Sequence, residues 1–209
     1  MDAKQDFHSI TAALLYLMKR VRPNIETSIS FLMRRVSKSD VDDWWKMKRV
    51  LAYLKNIIDD VRMIGATSLI QILTWMDATF AVHSDMKNHT GGCTSMGIGL
   101  VHQKSSTQKS NSKSSCESEI IGVSEYLPYN LWFLMFIEAQ GYEIGSNIIF
   151  QDNKRAILFA RNGRNSCTGN SRHVAVRCFF VKDRVDKDEV RVDYLPNGLM
   201  LAEFYTKPL

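Results

Sequence analysis

The sequence predicts an α/β fold: a mixed sheet flanked by helices, preceded by a small helical segment. Three observations carry this. Apolar residues recur at helical spacing through roughly the first 65 positions; the pattern changes to a two-residue period near residue 69; and from Cys116 onward helical and strand-like runs alternate. The expected division is a helical segment over 1–66 and an α/β domain over 67–209.

In the first segment, Ile10, Leu14, Leu17 and Val21 step by four, three and four, as one face of a helix does, and Pro23 ends that helix. Ile25, Ile29, Leu32 and Val36 repeat the step. A third helix is expected from Ser39 as N-cap, with acids in its first turn. It carries Trp44, Met47, Leu51, Leu54 and Ile58 on one face, and Lys46, Lys48, Arg49 and Lys55 on the others. Such stripes pack a helical core, and the basic faces are also suited to a nucleic-acid backbone. The "VDD" of "SDVDDWW" is not a polymerase-type acid pair. That pair needs a turn between two strands, whereas these acids open a periodic helix and suit its N-terminal dipole.

In "SLIQILTWMDATFAV" the period of two places Leu69, Gln71, Leu73, Trp75 and Asp77 on one face of a strand. "HTGGCTSMGIGLVHQK" reads as turn glycines followed by a second strand through Met96, Ile98 and Leu100. The Ser/Lys run 104–115 is either a linker or a polar third strand. A helix starts in "CESEIIGVSEYL", is broken or restarted at Pro128, and ends at Gly141. "SNIIFQDN" is a strand ending at Asp152; "KRAILFARNG" and "SRHVAVRCFFVKDRV" are helices; "EVRVDYL" is a strand and "LMLAEFYTKPL" a terminal helix.

Composition narrows the function classes. An apolar fraction of 45% and a charged fraction of 23% are ordinary for a soluble globular protein, and 209 residues can bury a sizeable core. No apolar run approaches the roughly 20 residues that span a bilayer, so no membrane partner is expected. "MDAKQDFHSI" carries acids and no apolar stretch of the signal-peptide kind. Cys93, Cys116, Cys167 and Cys178 lack paired or CxxC spacing, so neither a zinc site nor a disulfide framework is expected, and a reducing intracellular compartment is. A net charge of +5, from 27 basic and 22 acidic residues, permits a phosphate-backbone partner without demanding one.

Asp77 and Asp152 sit at strand ends, Glu119 early in a helix and Glu203 in the last one. Beside a sheet whose ligands bind outside its strand ends, the four could meet. Such a cluster suits hard divalent cations and phosphodiester hydrolysis, although acids at these places are also common as solvated residues.

The blocks "MDATFAVHSDMKNHTGG", "KSSCESEIIGVSEYLPYNLWF", "FQDNKRAILFARNG", "RHVAVRCFFVKDRV" and "LAEFYTKPL" resemble, in this order, the ribonuclease H domain of copia-type retrotransposon Pol polyproteins. The block from "FHSITAALL" to "LAYLKN" resembles the helical segment that connects reverse transcriptase to ribonuclease H in that family. The resemblance spans roughly residues 7–209, as the C-terminal piece of a longer polyprotein. It implies a ribonuclease H-like five-stranded mixed sheet. It also implies an endonuclease that hydrolyses the RNA strand of RNA–DNA hybrids with two Mg²⁺ ions, Mn²⁺ being a substitute.

Matched motif by motif, the ligands and catalytic residues would be Asp77, Glu119 of "SSCESEI" (Glu117 the alternative), Asp152 of "FQDN" and Glu203 of "LAEFYTKPL". The implied partners are the hybrid and the upstream reverse transcriptase region, and the implied location is a cytoplasmic virus-like particle or the nucleus. Lys104, Lys109 and Lys113 either track the hybrid backbone or form a solvated loop. His83, His89 and His102 are expected to hold no metal, and His173 is read as a packed, hydrogen-bonded residue rather than a proton shuttle. Two positions depart from the family. Glu203 stands where the family has Asp, and a carboxylate moved by about 1 Å can cost on the order of 10²-fold in rate. Ser110 stands where the family keeps an apolar core-strand residue. Both suit the alternative reading, an impaired or inactive transposon remnant that keeps the fold and hybrid binding.

Overall fold

The computed structural model describes residues 3–67, 71–163 and 172–207, so Leu69 and Cys167 lie outside the described residues. The chain divides into two units, Met1–Met63 with Lys207–Leu209, and Ile64–Thr206.

The first unit holds α1 (Ala3–Arg20), α2 (Glu26–Met33) and α3 (Val41–Asn56). Its core is Phe7, Leu14, Met18, Ile25, Ile29, Leu32, Met47 and Val50, with Trp44 edge-on to Phe7 at 5.3 Å. The stripe on α1 is rotated from the expected one: Phe7, Thr11, Leu14 and Met18 are buried, Ile10 and Leu17 flank them, and Val21 is exposed. Two apolar stripes overlap at Leu14, and the one carrying the bulky Phe7 wins the core. On α3, likewise, Val50 is buried while Leu51 and Ile58 face out, and Val36 belongs to a 3₁₀ turn after α2. Asp40, not Ser39, is the N-cap of α3. Its carboxylate accepts the Asp43 N–H at 2.9 Å, and Asp43 returns the bond from the Asp40 N–H at 3.1 Å. The "VDD" acids therefore open a helix, as their sequence setting indicates.

The second unit carries a two-stranded ladder of β1 (Gly65–Ala66) with β4 (Gly97–Ile98), and a five-stranded sheet. The sheet holds β2 (Gln71–Thr79), β3 (His89–Ser95), β5 (Leu100–Thr107), β6 (Ser146–Gln151) and β7 (Arg191–Tyr194) in the order β5-β3-β2-β6-β7. β3 lies antiparallel to β2 and β5, while β6 runs parallel to β2 and β7. This is the mixed α/β sheet that the sequence predicts. α4 (Ser115–Ala139), α5 (Lys154–Asn162) and α6 (Arg172–Asp186) complete the unit. Its core joins Met76, Ile120, Ile121, Tyr126, Leu127, Ile149, Val174, Cys178 and Val192.

Four expectations are corrected here. Pro128 does not interrupt α4, which runs 25 residues through it. Pro128 removes the bond to the carbonyl of half-exposed Ser124 and crowds it, while burial of Tyr126, Leu127 and Leu131 holds the helix together. α4 is also long and apolar enough to cross a membrane by length and composition. In this helix Ile120, Ile121, Tyr126 and Leu127 are buried in the core, while Tyr129, Trp132, Met135 and Phe136 are exposed.

Gly91 and Gly92 are not turn residues but sit inside β3. A Cβ on Gly92 would stand 2.6 Å from the Tyr126 ring of α4, and one on Gly91 would stand 2.8 Å from the Ala202 carbonyl on the other side. The pair clears both faces of the strand for close packing. The terminal segment is not an α-helix among its described residues: it forms the short 3₁₀ turn Leu201–Tyr205, preceded by the 3₁₀ turn Asn197–Leu199. Of the two readings of the run 104–115, the polar third strand holds as far as Thr107 and loop follows up to α4. Ser110 lies in that loop, where its hydroxyl accepts from Arg177 at 2.7 Å, so it is not an unpartnered hydroxyl in a core strand.

Candidate metal centre

On β2 the residues Ile72, Thr74, Met76 and Ala78 are buried, and α4 packs on this strand. Alternation sends Asp77 the other way, beside Gly91 and the Leu201–Tyr205 turn. The parallel register sets Trp75 opposite Phe150. Two residues further on come Asp77, still within β2, and Asp152, one residue past β6, so the two acids lie near the carboxyl ends of neighbouring parallel strands. Glu119 arrives from α4, whose start is fixed by Ser114: the Ser114 side chain accepts the Glu117 N–H at 3.2 Å.

One carboxylate oxygen from each of Asp77, Glu119 and Asp152 lies within 4.8 Å of the others. Asp77 and Glu119 are buried, at 8% and 6% exposure, and Asp152 is half-buried. Burial first, then the charges of Asp77 and Asp152, push the Glu119 carboxyl well above the usual carboxylate range. Hydrogen bonds from the Gln151 amide and the Ala78 N–H pull against that rise. The donor set fits a hard divalent cation: oxygen ligands only, drawn from three elements, with a surplus of negative charge that a cation would relieve.

The fourth expected ligand is placed differently. Glu203 is half-buried in the Leu201–Tyr205 turn and is not one of the three carboxylates that converge. The segment does reach the site through Thr206, whose hydroxyl donates to Asp77 Oδ2 and whose N–H donates to the Glu203 carbonyl at 3.2 Å. Glu117, the alternative to Glu119, lies outside the cluster and accepts the Lys113 N–H at 2.6 Å.

Of the three lysines, Lys104 holds its Nζ 4.8 Å from the centre of the Tyr129 ring of α4. Lys104, Lys109 and Arg177 surround Glu125, where they oppose the rise that burial gives its carboxyl. Lys109 and Lys113 are exposed in the loop before α4. His83 and His89 are buried with ring nitrogens 3.0 Å apart, and His89 also meets Ser105 at 2.7 Å. His102 bonds the Tyr126 hydroxyl at 2.8 Å. His173 is exposed, hydrogen-bonded to the Asn111 carbonyl at 3.1 Å.

Sequence reasoning missed several residues. An open cleft of about 600 Å³ is lined by Glu119, Asp152, Asn153, Lys154, Arg155, Tyr194 and Asn197. Asn153 caps α5 by accepting the N–H groups of Arg155 and Ala156 at 3.0 and 3.2 Å. Lys154 lies over the Tyr194 ring at 5.0 Å. "DNKR" carries the signal for the cap and the two cations, because an Asn followed by a helical run is an N-cap pattern. The hydroxyl of Thr206 and the amide of Gln151 leave no such signal.

The chain shares 24% identity over 206 residues with the retrovirus-related Pol polyprotein from transposon TNT 1-94 of Nicotiana tabacum, covering 98% of this chain and 15% of the relative. With that of transposon RE2 of Arabidopsis thaliana it shares 24% over 206 residues, covering 98% and 14%. Both of these relatives are transposon Pol polyproteins. The chain thus spans about one seventh of the length of these Pol polyproteins. Among solved structures, RNase H1 of the archaeon Halobacterium salinarum NRC-1 superposes with a TM-score of 0.43 at 12% identity, covering 63% of this chain and 90% of that one. No family model matches the chain.

Proposed function

We propose that Ile64–Thr206 is the ribonuclease H domain of a transposon Pol polyprotein, and that it hydrolyses the RNA strand of RNA–DNA hybrids. The observation that carries this reading is the convergence of Asp77, Glu119 and Asp152 within 4.8 Å at the carboxyl ends of parallel strands. The Pol relatives and the motif resemblance support it. The helical unit is the connection to an upstream reverse transcriptase region, which with the hybrid is the proposed partner. A virus-like particle or the nucleus is the proposed location.

Asp77, Glu119 and Asp152 would hold two Mg²⁺ ions, or Mn²⁺ in their place, with Glu203 serving the more weakly held one. When bound, the ions supply Lewis acidity that lowers the pKa of water and neutralises charge on the phosphate. The chain's own contribution is positional. Thr206 directs Asp77, Gln151 directs Glu119, and the α5 cap fixes the backbone after Asp152. Lys154 and Arg155 line the same cleft and provide cationic contacts for a strand backbone, with Lys104, Lys109 and Lys113 as further candidates along it. Water attacks the RNA phosphodiester in line, leaving a 3′-hydroxyl and a 5′-phosphate.

The test is incubation of the folded protein with an end-labelled RNA–DNA hybrid and Mg²⁺ or Mn²⁺. Cleavage of the RNA strand alone, lost in Asp77→Asn, is expected; no cleavage with either ion overturns the reading. A second reading, an impaired remnant that keeps the fold and hybrid binding, is favoured by Glu203 standing apart from the three converging carboxylates.

A further inference from the structure

Gln151 is the last residue of β6, 1% exposed, and lies between two of the three carboxylates in space and next to one of them in sequence. Its side chain is used at both ends. Oε1 accepts the N–H of Asp152 at 2.9 Å and of Asn153 at 3.2 Å; Nε2 donates to Glu119 Oε2 at 3.1 Å. The backbone settles which way the amide points. Two N–H groups at the start of the β6–α5 turn need an acceptor, so the carbonyl end must face them. The NH₂ end is then held toward Glu119.

One rigid amide therefore couples the turn that presents Asp152 to the α4 side chain that presents Glu119. The third acid has no part in this coupling; Asp77 is directed by Thr206. An apolar residue in place of Gln151 would leave two half-buried N–H groups and one buried carboxylate oxygen without this partner.

We propose that Gln151 is a positioning residue of the metal centre: its amide sets the separation and orientation of Glu119 relative to Asp152 that a divalent cation requires. The proposal rests on the metal-binding reading of the cluster. Outer-shell partners of ligating carboxylates act in this way elsewhere, and their loss typically costs roughly 10–100-fold in metal affinity or activity.

The test is Mn²⁺ binding by calorimetric titration of the full chain, with hybrid cleavage as a second readout. Gln151→Met keeps the volume and removes both hydrogen-bonding ends. It is expected to lower Mn²⁺ affinity by roughly tenfold or more and kcat with it, while leaving KM for the hybrid unchanged. Should Gln151→Met fail to fold, Gln151→Asn serves. Its amide still reaches the Asp152 and Asn153 N–H groups but falls short of Glu119 by one methylene, and the same loss of Mn²⁺ affinity is expected. A folded variant of either kind that binds Mn²⁺ within about twofold of the parent overturns the proposal. A parent protein that binds no Mn²⁺ overturns the metal-centre reading, and the role of Gln151 falls with it.

Discussion

In the helical unit Glu26 and Asp43 are buried, at 1% and 3% exposure, and each is set against a cation: Lys19 at 2.8 Å and Arg35 at 2.9 Å. In the α/β unit Asp77 and Glu119 are buried almost as deeply, yet they lie against each other and Asp152. The first pair of acids is compensated where it stands, and Asp43 also closes a helix cap. In the second group burial first, and then the charges of Asp77 and Asp152, raise the Glu119 carboxyl. Neighbouring Asp40 shows the opposite sign, lowered chiefly by the Asp43 backbone N–H with Arg35 assisting. The buried acids of the helical unit are paired with cations, whereas those of the α/β unit accept from Thr206 and Gln151 and lie against one another.

The sharpest way to break this comparison is Asp77→Asn. If Asp77 serves chemistry, hybrid cleavage should fall by roughly 10³-fold or more, the rate equivalent of about 4 kcal/mol. The unfolding midpoint in EDTA should hold or rise, since one charge leaves a crowded cluster. A variant that unfolds at a markedly lower temperature while keeping its activity would make Asp77 an ordinary structural acid.

Next in size is the response to metal and pH. At a Mg²⁺ or Mn²⁺ concentration about 100 times Kd, binding to the folded form alone adds about 2.7 kcal/mol, seen as a higher melting temperature for the α/β unit. In EDTA the sign for Glu119 follows from its raised folded value. Folded protein keeps the proton that unfolded chain has released, so stability is fullest below the unfolded carboxylate pKa, about 4.3, and falls as pH climbs from there through the folded value. The slope from this one group approaches about 1.4 kcal/mol per pH unit, and Glu119→Gln should flatten it. Denaturant unfolding in EDTA from pH 4 to 8 reads it directly. Asp40, lowered in the folded state, behaves in reverse, its contribution being present above the unfolded value near 3.9 and lost as pH falls below it.

How far these features could be read in advance depends on their range. The first strand was legible from the period of two in "QILTWMDAT", whereas the count of five strands came only with the family resemblance, and the second strand, expected through Met96, Ile98 and Leu100, runs instead over His89–Ser95. Three of the four acids that the resemblance implies meet, two near strand ends and one at a helix start; from spacing alone they read equally as solvated residues. The failures are all contests between local and distant forces. Pro128 signals a break, but the packing of Tyr126 and Leu131 overrides it. Gly91 and Gly92 signal a turn, yet they are small because the Ala202 carbonyl and the Tyr126 ring press from opposite sides. The Thr206 hydroxyl meets an acid 129 residues away, and no spacing rule reaches that far. Gln151 adjoins Asp152 and reads as an ordinary strand residue until its two-ended amide is seen in place.

A smaller effect sharpens the comparison from the other side. Asp43→Ala removes half of the α3 capping box and the buried partner of Arg35, and should destabilise the helical unit by about 1–2 kcal/mol at neutral pH. Hybrid cleavage per folded molecule should not change. Chemical denaturation alongside a single-turnover assay separates the two. If Asp43→Ala and Asp77→Asn affected stability alike, the division between cation-paired and clustered acids would fail.

The smallest predicted effect concerns Glu203. Its turn is anchored at the site through Thr206 and Asp77, so the backbone near the fourth ligand position is fixed by a contact independent of the Glu203 side chain. Shortening that side chain by one methylene moves the carboxylate by about 1 Å without moving the anchor. If the extra methylene is what impairs the weaker metal position, Glu203→Asp should raise the Mg²⁺-dependent cleavage rate. The gain should stay below about tenfold, since three carboxylates already converge without it and tenfold corresponds to about 1.4 kcal/mol. Titrating Mg²⁺ in both proteins locates the gain: a lower Mg²⁺ requirement places it at metal binding, a higher plateau at the chemical step. An unchanged rate and an unchanged Mg²⁺ curve would mean that Glu203 stands outside the reaction, leaving Asp77, Glu119 and Asp152 as the whole acidic apparatus.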